Sequence, residues 1–129
     1  METPQDLKYT ESHEWVRQES DGTVSIGITD HAQAQLGDVV FVENPQPGQN
    51  VKKGDECGVI ESVKAAADIY APLSGEIVAA NNELTDAPGK INSQPYEAWM
   101  FRIKPSNPGE LANLLDAAAY GKIAEAEKH

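Results

Sequence analysis

Apolar residues alternate with small or polar ones along much of this chain. Val24, Ile26 and Ile28 stand two apart with Ser25 and Gly27 between them, the period of a half-buried strand. A second strand is expected over residues 14–19, and Asp21-Gly22 between the two is a hairpin signal. Asp30 is placed to cap a short helix running from His31 to Leu36, and Gly37 to stop it. Residues 38–43 read as a buried strand ended by Pro45, Pro47 and Gly48. Further strands are expected over 56–61, 67–70, 76–80 and 98–103, with a loop or loose helical turn over 85–90. From Asn107 the spacing changes. Leu111, Leu114, Leu115 and Ala118 recur at helical intervals, and Pro108 and Glu110 suit a first helical turn. A helix over about 107–120 is expected to dock on the strands, with Gly121 separating it from a frayed polar tail, 122–129. Short strands with Gly and Pro turns, closed by a helix, predict a mainly β fold of sandwich or barrel-like form.

Length and charge narrow the classes. A chain of 129 residues forms one domain and buries roughly two-thirds of its unfolded surface without staples. Its one cysteine, Cys57, excludes an intrachain disulfide and reads as a packing residue in an apolar strand. No apolar run approaches the ~18 residues of a membrane span, and the first residues carry no export or import signal, so a bacterial-type cytoplasmic chain, or one already processed, is expected. Twenty-one carboxylates against ten Lys and Arg give a net charge of −11. That surface repels phosphate backbones, which argues against a nucleic-acid partner, and serves either docking on basic protein surfaces or solubility alone. His13-Glu14 and Asp30-His31 do not match zinc-ligand spacings, so no metal site is expected and His31 reads as structural. Nucleophile elbow, P-loop and dinucleotide fingerprint are all absent. Nothing points to an enzyme acting with its own side chains.

Lys64 is the exception to this bland picture. It is the only lysine between Lys53 and Lys90, and short apolar segments flank it. Gly54 and Gly75 lie at near-equal distances on either side, so a hairpin over about 54–75 would carry Lys64 at its apex. Ser62-Val63-Lys64-Ala65 lacks the Gly or Asn of a primed hairpin turn but is compatible with a type I turn. An isolated lysine on a hairpin, in a domain without catalytic groups, suits a carrier.

Six blocks of sequence carry a resemblance over nearly the whole chain: residues 7–16 (with His13-Glu14-Trp15), 26–33, 36–42, 61–66 (Glu61-Ser62-Val63-Lys64-Ala65-Ala66), 70–76 and 91–96. In this order and spacing they resemble the H proteins of the glycine cleavage system. The resemblance implies a lipoyl/biotinyl-domain-like barrel-sandwich hybrid with extra N-terminal strands, short helices and a C-terminal helix. It implies lipoic acid in amide linkage to Lys64, on a carrier that is not itself a catalyst. Such a carrier takes the aminomethyl group of glycine from glycine decarboxylase to aminomethyltransferase, and dihydrolipoamide dehydrogenase reoxidises it. Glu61 and Gly75 match positions used for recognition by the lipoate-attaching enzyme. Ser12, Glu14 and Asp68 match a cleft that shelters the loaded arm, with Glu14 and Asp68 expected to clasp its ammonium. A carrier that visits three enzymes is expected to be a monomer. One segment departs from the family: Tyr96-Glu97-Ala98-Trp99 is short and has Ala98 where a glycine is usual.

Other readings stay open at this point. A biotin carrier shares the fold, but its lysine sits between methionines, whereas Val63 and Ala65 flank Lys64. A lipoyl domain of a 2-oxoacid dehydrogenase is smaller and lacks the His13-Glu14-Trp15 block. An unmodified interaction module, or a protein relaying octanoyl or lipoyl groups, would use the same sequence.

Overall fold

The computed structural model describes residues 3–126. Nine strands run in chain order: β1 (Lys8–Tyr9), β2 (Glu14–Gln18), β3 (Val24–Ile28), β4 (Val39–Glu43), β5 (Asn50–Val51), β6 (Glu56–Ser62), β7 (Ala66–Tyr70), β8 (Gly75–Ala80) and β9 (Phe101–Pro105). Between them stand α1 (Asp30–Leu36), α2 (Glu83–Asp86) and α3 (Lys90–Ser93), and α4 (Ala117–Ala126) closes the described chain.

The strands form two sheets, ordered β1-β2-β3-β9-β8-β5 and β4-β6-β7. This corrects the barrel expectation: both sheets are open and neither closes on itself. Closure needs an unbroken ladder of backbone hydrogen bonds, and the chain changes sheets four times, between β3 and β4, β4 and β5, β5 and β6, and β7 and β8. Two of these crossings hold Pro45, Pro47 and Pro72, which have no N–H to give a ladder. The sheets are joined by side chains instead. Val24, Ile26, Ile77 and Ile103 of the larger sheet share one buried cluster with Val42, Ile60 and Ile69 of the smaller. Cys57 belongs to the same cluster, as its apolar setting suggested.

A second, smaller core lies at the N-terminal edge, where Leu7, Tyr9 and Trp15 pack with Tyr120 and Ala124 of α4. The Tyr9 and Tyr120 rings stack with centroids 4.7 Å apart. Trp15 lies across Gly27, its partner on β3, and donates from Nε1 to the Pro95 carbonyl at 2.9 Å. A methyl group at Gly27 would stand 2.5 Å from the indole, so the glycine is required for close approach.

Several expected boundaries shift for local reasons. Thr29, not Asp30, caps α1: its side chain accepts from Ala32 N, and Asp30 becomes the first helical residue. Gly37 ends α1 as expected, at φ 81°. Strand β4 is not buried throughout, since Val40 and Phe41 are exposed. The 85–90 region is enclosed by two short helices, α2 and α3. The last strand starts later, at Phe101. Its short approach, 94–99, is a compact turn in which Ala98 N donates to Gln94 O at 2.9 Å. Ala98 is buried there.

The predicted helix over 107–120 divides in two. Pro108–Asn113 forms a 3₁₀ turn, and Leu114 is extended (φ −78°, ψ 156°). Leu115 exchanges both backbone hydrogen bonds with Tyr9, each 2.8 Å. Helix α4 starts only after Asp116, whose carboxylate accepts from Ala119 N, and runs through Gly121. The expected tail is therefore helical as far as Ala126, and residues 127–129 lie outside those described. Helical spacing of leucines failed here because Leu114 joins the main core and Leu115 the second. No helix among the described residues is long and apolar enough to cross a membrane.

Replacing Gly27 by Ala is expected to cost about 2 kcal/mol or more, because the Trp15 indole must move. Urea unfolding followed by tryptophan fluorescence checks this. An unchanged midpoint would show that the indole has room.

Candidate functional site

Lys64 stands at the exposed tip of the β6–β7 hairpin. Ser62 N donates to Ala65 O at 2.7 Å, leaving Val63 and Lys64 as the two loop residues. Among the described non-glycine residues only His13 has a positive φ, so this is not a primed turn. Its shape comes from the Ser62 side chain, whose Oγ accepts from Ala65 N at 3.0 Å and Lys64 N at 3.3 Å. A serine hydroxyl thus does the work of the missing Gly or Asn. At the base, Gly54 N donates to Ala71 O and Ala71 N to Asp55 O, both at 2.8 Å.

The tip is also tied to its surroundings. Val63 N donates to the Asp38 carbonyl at 3.0 Å. The residues on either side of Asp38 are held by Asn92 of α3. Its Oδ1 accepts from Val39 N at 2.9 Å, and its Nδ2 donates to Gly37 O at 2.9 Å. The Lys64 stem lies over Gly37, where a β-carbon would come within 3.2 Å of the lysine Cε. Neither Ser62 nor Asn92 was singled out from sequence. Both sit inside the recognisable blocks, and only their hydrogen bonds reveal their tasks.

Glu14 and Ser12 line a cleft of about 480 Å³ together with Tyr9, Lys53, Tyr70, Leu114 and Leu115. Glu14 is almost fully buried (1% exposed). Its Oε1 accepts from Thr10 Oγ1 and Ser12 Oγ, both at 2.6 Å, and its Oε2 from Tyr70 N at 3.4 Å. His13, with φ 72°, makes the tight turn that brings Thr10 and Ser12 back over the carboxylate. A larger open depression of about 790 Å³ lies beside α4, lined by Thr3, Gln5 and His31 among others. It holds none of the residues expected to serve the arm.

Asp68 is placed differently. It is exposed on β7 and does not line the cleft. It shares a strand face with Ala66 and Tyr70, so this face leads from the lysine turn toward Glu14. Ala66 to Tyr70 spans about 13 Å of strand. The two residues expected to guide lipoate attachment are also not brought together. Glu61 is exposed on β6, opposite Phe41 and Ala66. Gly75 is buried in the other sheet, where a β-carbon would sit 2.2 Å from the Lys104 carbonyl. Contact with β9 alone requires a glycine there.

Burial raises the pKa of Glu14, and the hydrogen bonds from Ser12, Thr10 and Tyr70 offset only part of that effect. Desolvation, and then the negative charges of Glu14 and Asp55, push the Cys57 thiol up to about 12, so it stays protonated and supplies no thiolate. For Glu14 the folded chain holds its proton to higher pH than the unfolded chain, whose carboxyl titrates near 4.5. The stability this confers is fully present below that value and is lost as pH rises through the raised folded value. Relative to Glu14→Gln, the parent should therefore lose melting temperature as pH rises from 4.5 through the raised folded value. A difference that stays flat over thermal melts in this range would contradict it.

Comparison with known proteins agrees with the sequence blocks. A family profile described as glycine cleavage H-protein matches residues 7–127. A glycine cleavage system H protein of Nitrosospira multiformis is 62% identical over 129 residues, covering 100% of both chains. One from Thiobacillus denitrificans is 58% identical over the same full length. A crystal structure of a glycine cleavage system H protein from Mycobacterium marinum superposes with a TM-score of 0.83 at 40% identity, covering 92% of this chain and 96% of that one. The open two-sheet fold, the lysine hairpin and full-length similarity together place this chain in the glycine cleavage H-protein family.

Proposed function

We propose that Lys64 is the attachment point for lipoic acid and that the Glu14 cleft receives what the arm carries. As a family member the chain is a lipoyl carrier of the glycine cleavage system. It shuttles the aminomethyl group of glycine and is not itself a catalyst. Family members work with glycine decarboxylase, aminomethyltransferase and dihydrolipoamide dehydrogenase, and the same three partners are proposed here, together with a lipoate-attaching enzyme. A single domain acting as a monomer suits these successive encounters.

One observation carries the attachment reading: Lys64 is exposed at the tip of a hairpin whose turn Ser62 fixes. A side chain that must enter a partner's active site needs a rigid base and a free end, and this turn provides both. Acylation removes the ammonium charge, so the stem lying over Gly37 loses its reason to stay in water. When bound, the lipoyl group supplies a flexible arm ending in a strained disulfide that thiol exchange can open and re-form.

The cleft residues have separate tasks. Glu14 offers a carboxylate that its neighbours orient but no cation neutralises in the bonds described above, so it suits an ammonium-bearing cargo. Ser12 and Thr10 hold that carboxylate still. Tyr9 and Leu115 narrow access for water, which protects a hydrolysable cargo. Asp68, outside the cleft, attracts the same cation along the strand face. For lipoate attachment, Glu61 is exposed near the turn, whereas Gly75 acts indirectly by letting β8 close on β9.

Intact-mass measurement after incubation with lipoate, ATP and a lipoate-attaching enzyme tests the assignment. The parent should gain one lipoyl mass and Lys64→Arg none. A lipoyl adduct on another lysine would overturn the attachment site, and a biotinyl adduct on native protein would overturn the carrier reading.

A further inference from the structure

Two neighbouring residues of β4, Val40 and Phe41, are both exposed, at 54% and 46%. A regular strand turns successive side chains to opposite faces, so one of them should point inward. The pairing register gives the cause. Val39 pairs with Ser62 and Phe41 with Glu61, which leaves Val40 as an extra residue in a bulge. Beyond it Val42 pairs with Ile60 and returns to the core at 4% exposure. The bulge therefore turns two apolar side chains outward without disturbing the core below.

These residues lie beside the lysine turn. Val39 pairs with Ser62, where the turn begins, and Val63 next to Lys64 is 70% exposed. Of the four large apolar residues exposed among those described, only Val78 lies elsewhere, on β8 in the other sheet. Strand β4 is also a sheet edge. Exposed apolar edges invite unwanted pairing and are ordinarily blunted by charge. Carboxylates frame this one: Asp38 before it, Glu43 after it and Glu61 directly opposite Phe41 are all exposed. Lys64 is the only Lys or Arg from residue 54 to residue 89, so the surround is acidic.

We propose that Val40, Phe41 and Val63 form the docking surface for the enzyme that acylates Lys64. That enzyme presents an apolar socket with a cationic rim, matching the carboxylates that frame the patch. The inference rests on Lys64 being the attachment site. An enzyme that encloses the Lys64 amine must cover the residues packed around the turn, and the bulge sets apolar anchors there. Phe41 is the largest of them, and a buried aromatic anchor dominates this kind of contact.

Initial rates of lipoate transfer test the surface, with the unmodified parent, Phe41→Ser, the pair Val40→Thr with Phe41→Ser, and Val78→Thr as an exposed control. The two patch variants should raise KM for the carrier about tenfold while kcat stays within about twofold. Val78→Thr should match the parent, and added salt should raise KM for the parent. Equal KM for parent and Phe41→Ser, with the mass still on Lys64, would sink the docking surface alone. A mass gain on Lys64→Arg would sink the attachment reading and this one with it. A parent dimer in sedimentation that Phe41→Ser abolishes would assign the patch to self-association instead.

Discussion

The hydrogen bond from Val63 N to the Asp38 carbonyl holds the working end of this molecule in place. It joins the tip of the lysine hairpin to the junction between α1 and β4. Asn92 grips that junction from both sides, through Gly37 O and Val39 N. Without this tie, the two-residue turn would be held only through the pairing of β6 with β4 and β7. With it, the position of Lys64 is set by three elements that are far apart in sequence. The bulge at Val40 lies on the same junction, so the direction of the lysine and the shape of the surface beside it have one origin.

The three carboxylates assigned to the arm and its attachment differ in environment more than in chemistry. Glu14 is buried and held by two hydroxyls and a backbone N–H, which fixes its direction but leaves the cost of desolvating its charge. Asp68 and Glu61 are solvated on strand faces. A buried acceptor discriminates by geometry, whereas exposed carboxylates contribute a diffuse field.

Local patterns were legible where one physical cause dominated. The Asp21-Gly22 turn and the alternation of Val24, Ile26 and Ile28 located the β2–β3 hairpin, with Gly22 at φ 90°, but β3 is buried on both faces rather than half-buried. The hairpin around Lys64 was read from spacing together with resemblance, and its paired arms run only over Glu56–Tyr70, with Gly75 in the other sheet. What escaped depended on contacts across the chain. The break before α4 arises because Leu115 bonds Tyr9, and no periodicity in the leucines records that. Gly121 looked like a helix stop, yet a glycine inside a packed helix costs only about 1 kcal/mol. The outward turn of Phe41 could not be read from an apolar run, since a bulge changes face by register alone. Sheet closure was expected by analogy of fold, and only two of the four crossings between the sheets carry a proline, so no single local signal opposed it. At the site, Ser12 and Glu14 proved to share a cleft, while Asp68 lies outside it and Gly75 answers to β9.

The cleft and the hairpin differ in how much of the chain each needs. The Lys64 turn is made by residues 62–65 and closed at its base by Gly54 and Ala71. The cleft needs Tyr9 from one end of the chain and Leu115 from the other, bonded to each other. Contacts of long sequence separation form late because loop closure must be met first. During synthesis the tether can take shape while the ribosome still holds the last segment, but the chamber cannot. The handle is therefore complete before the cleft, which closes only when Leu115 has met Tyr9.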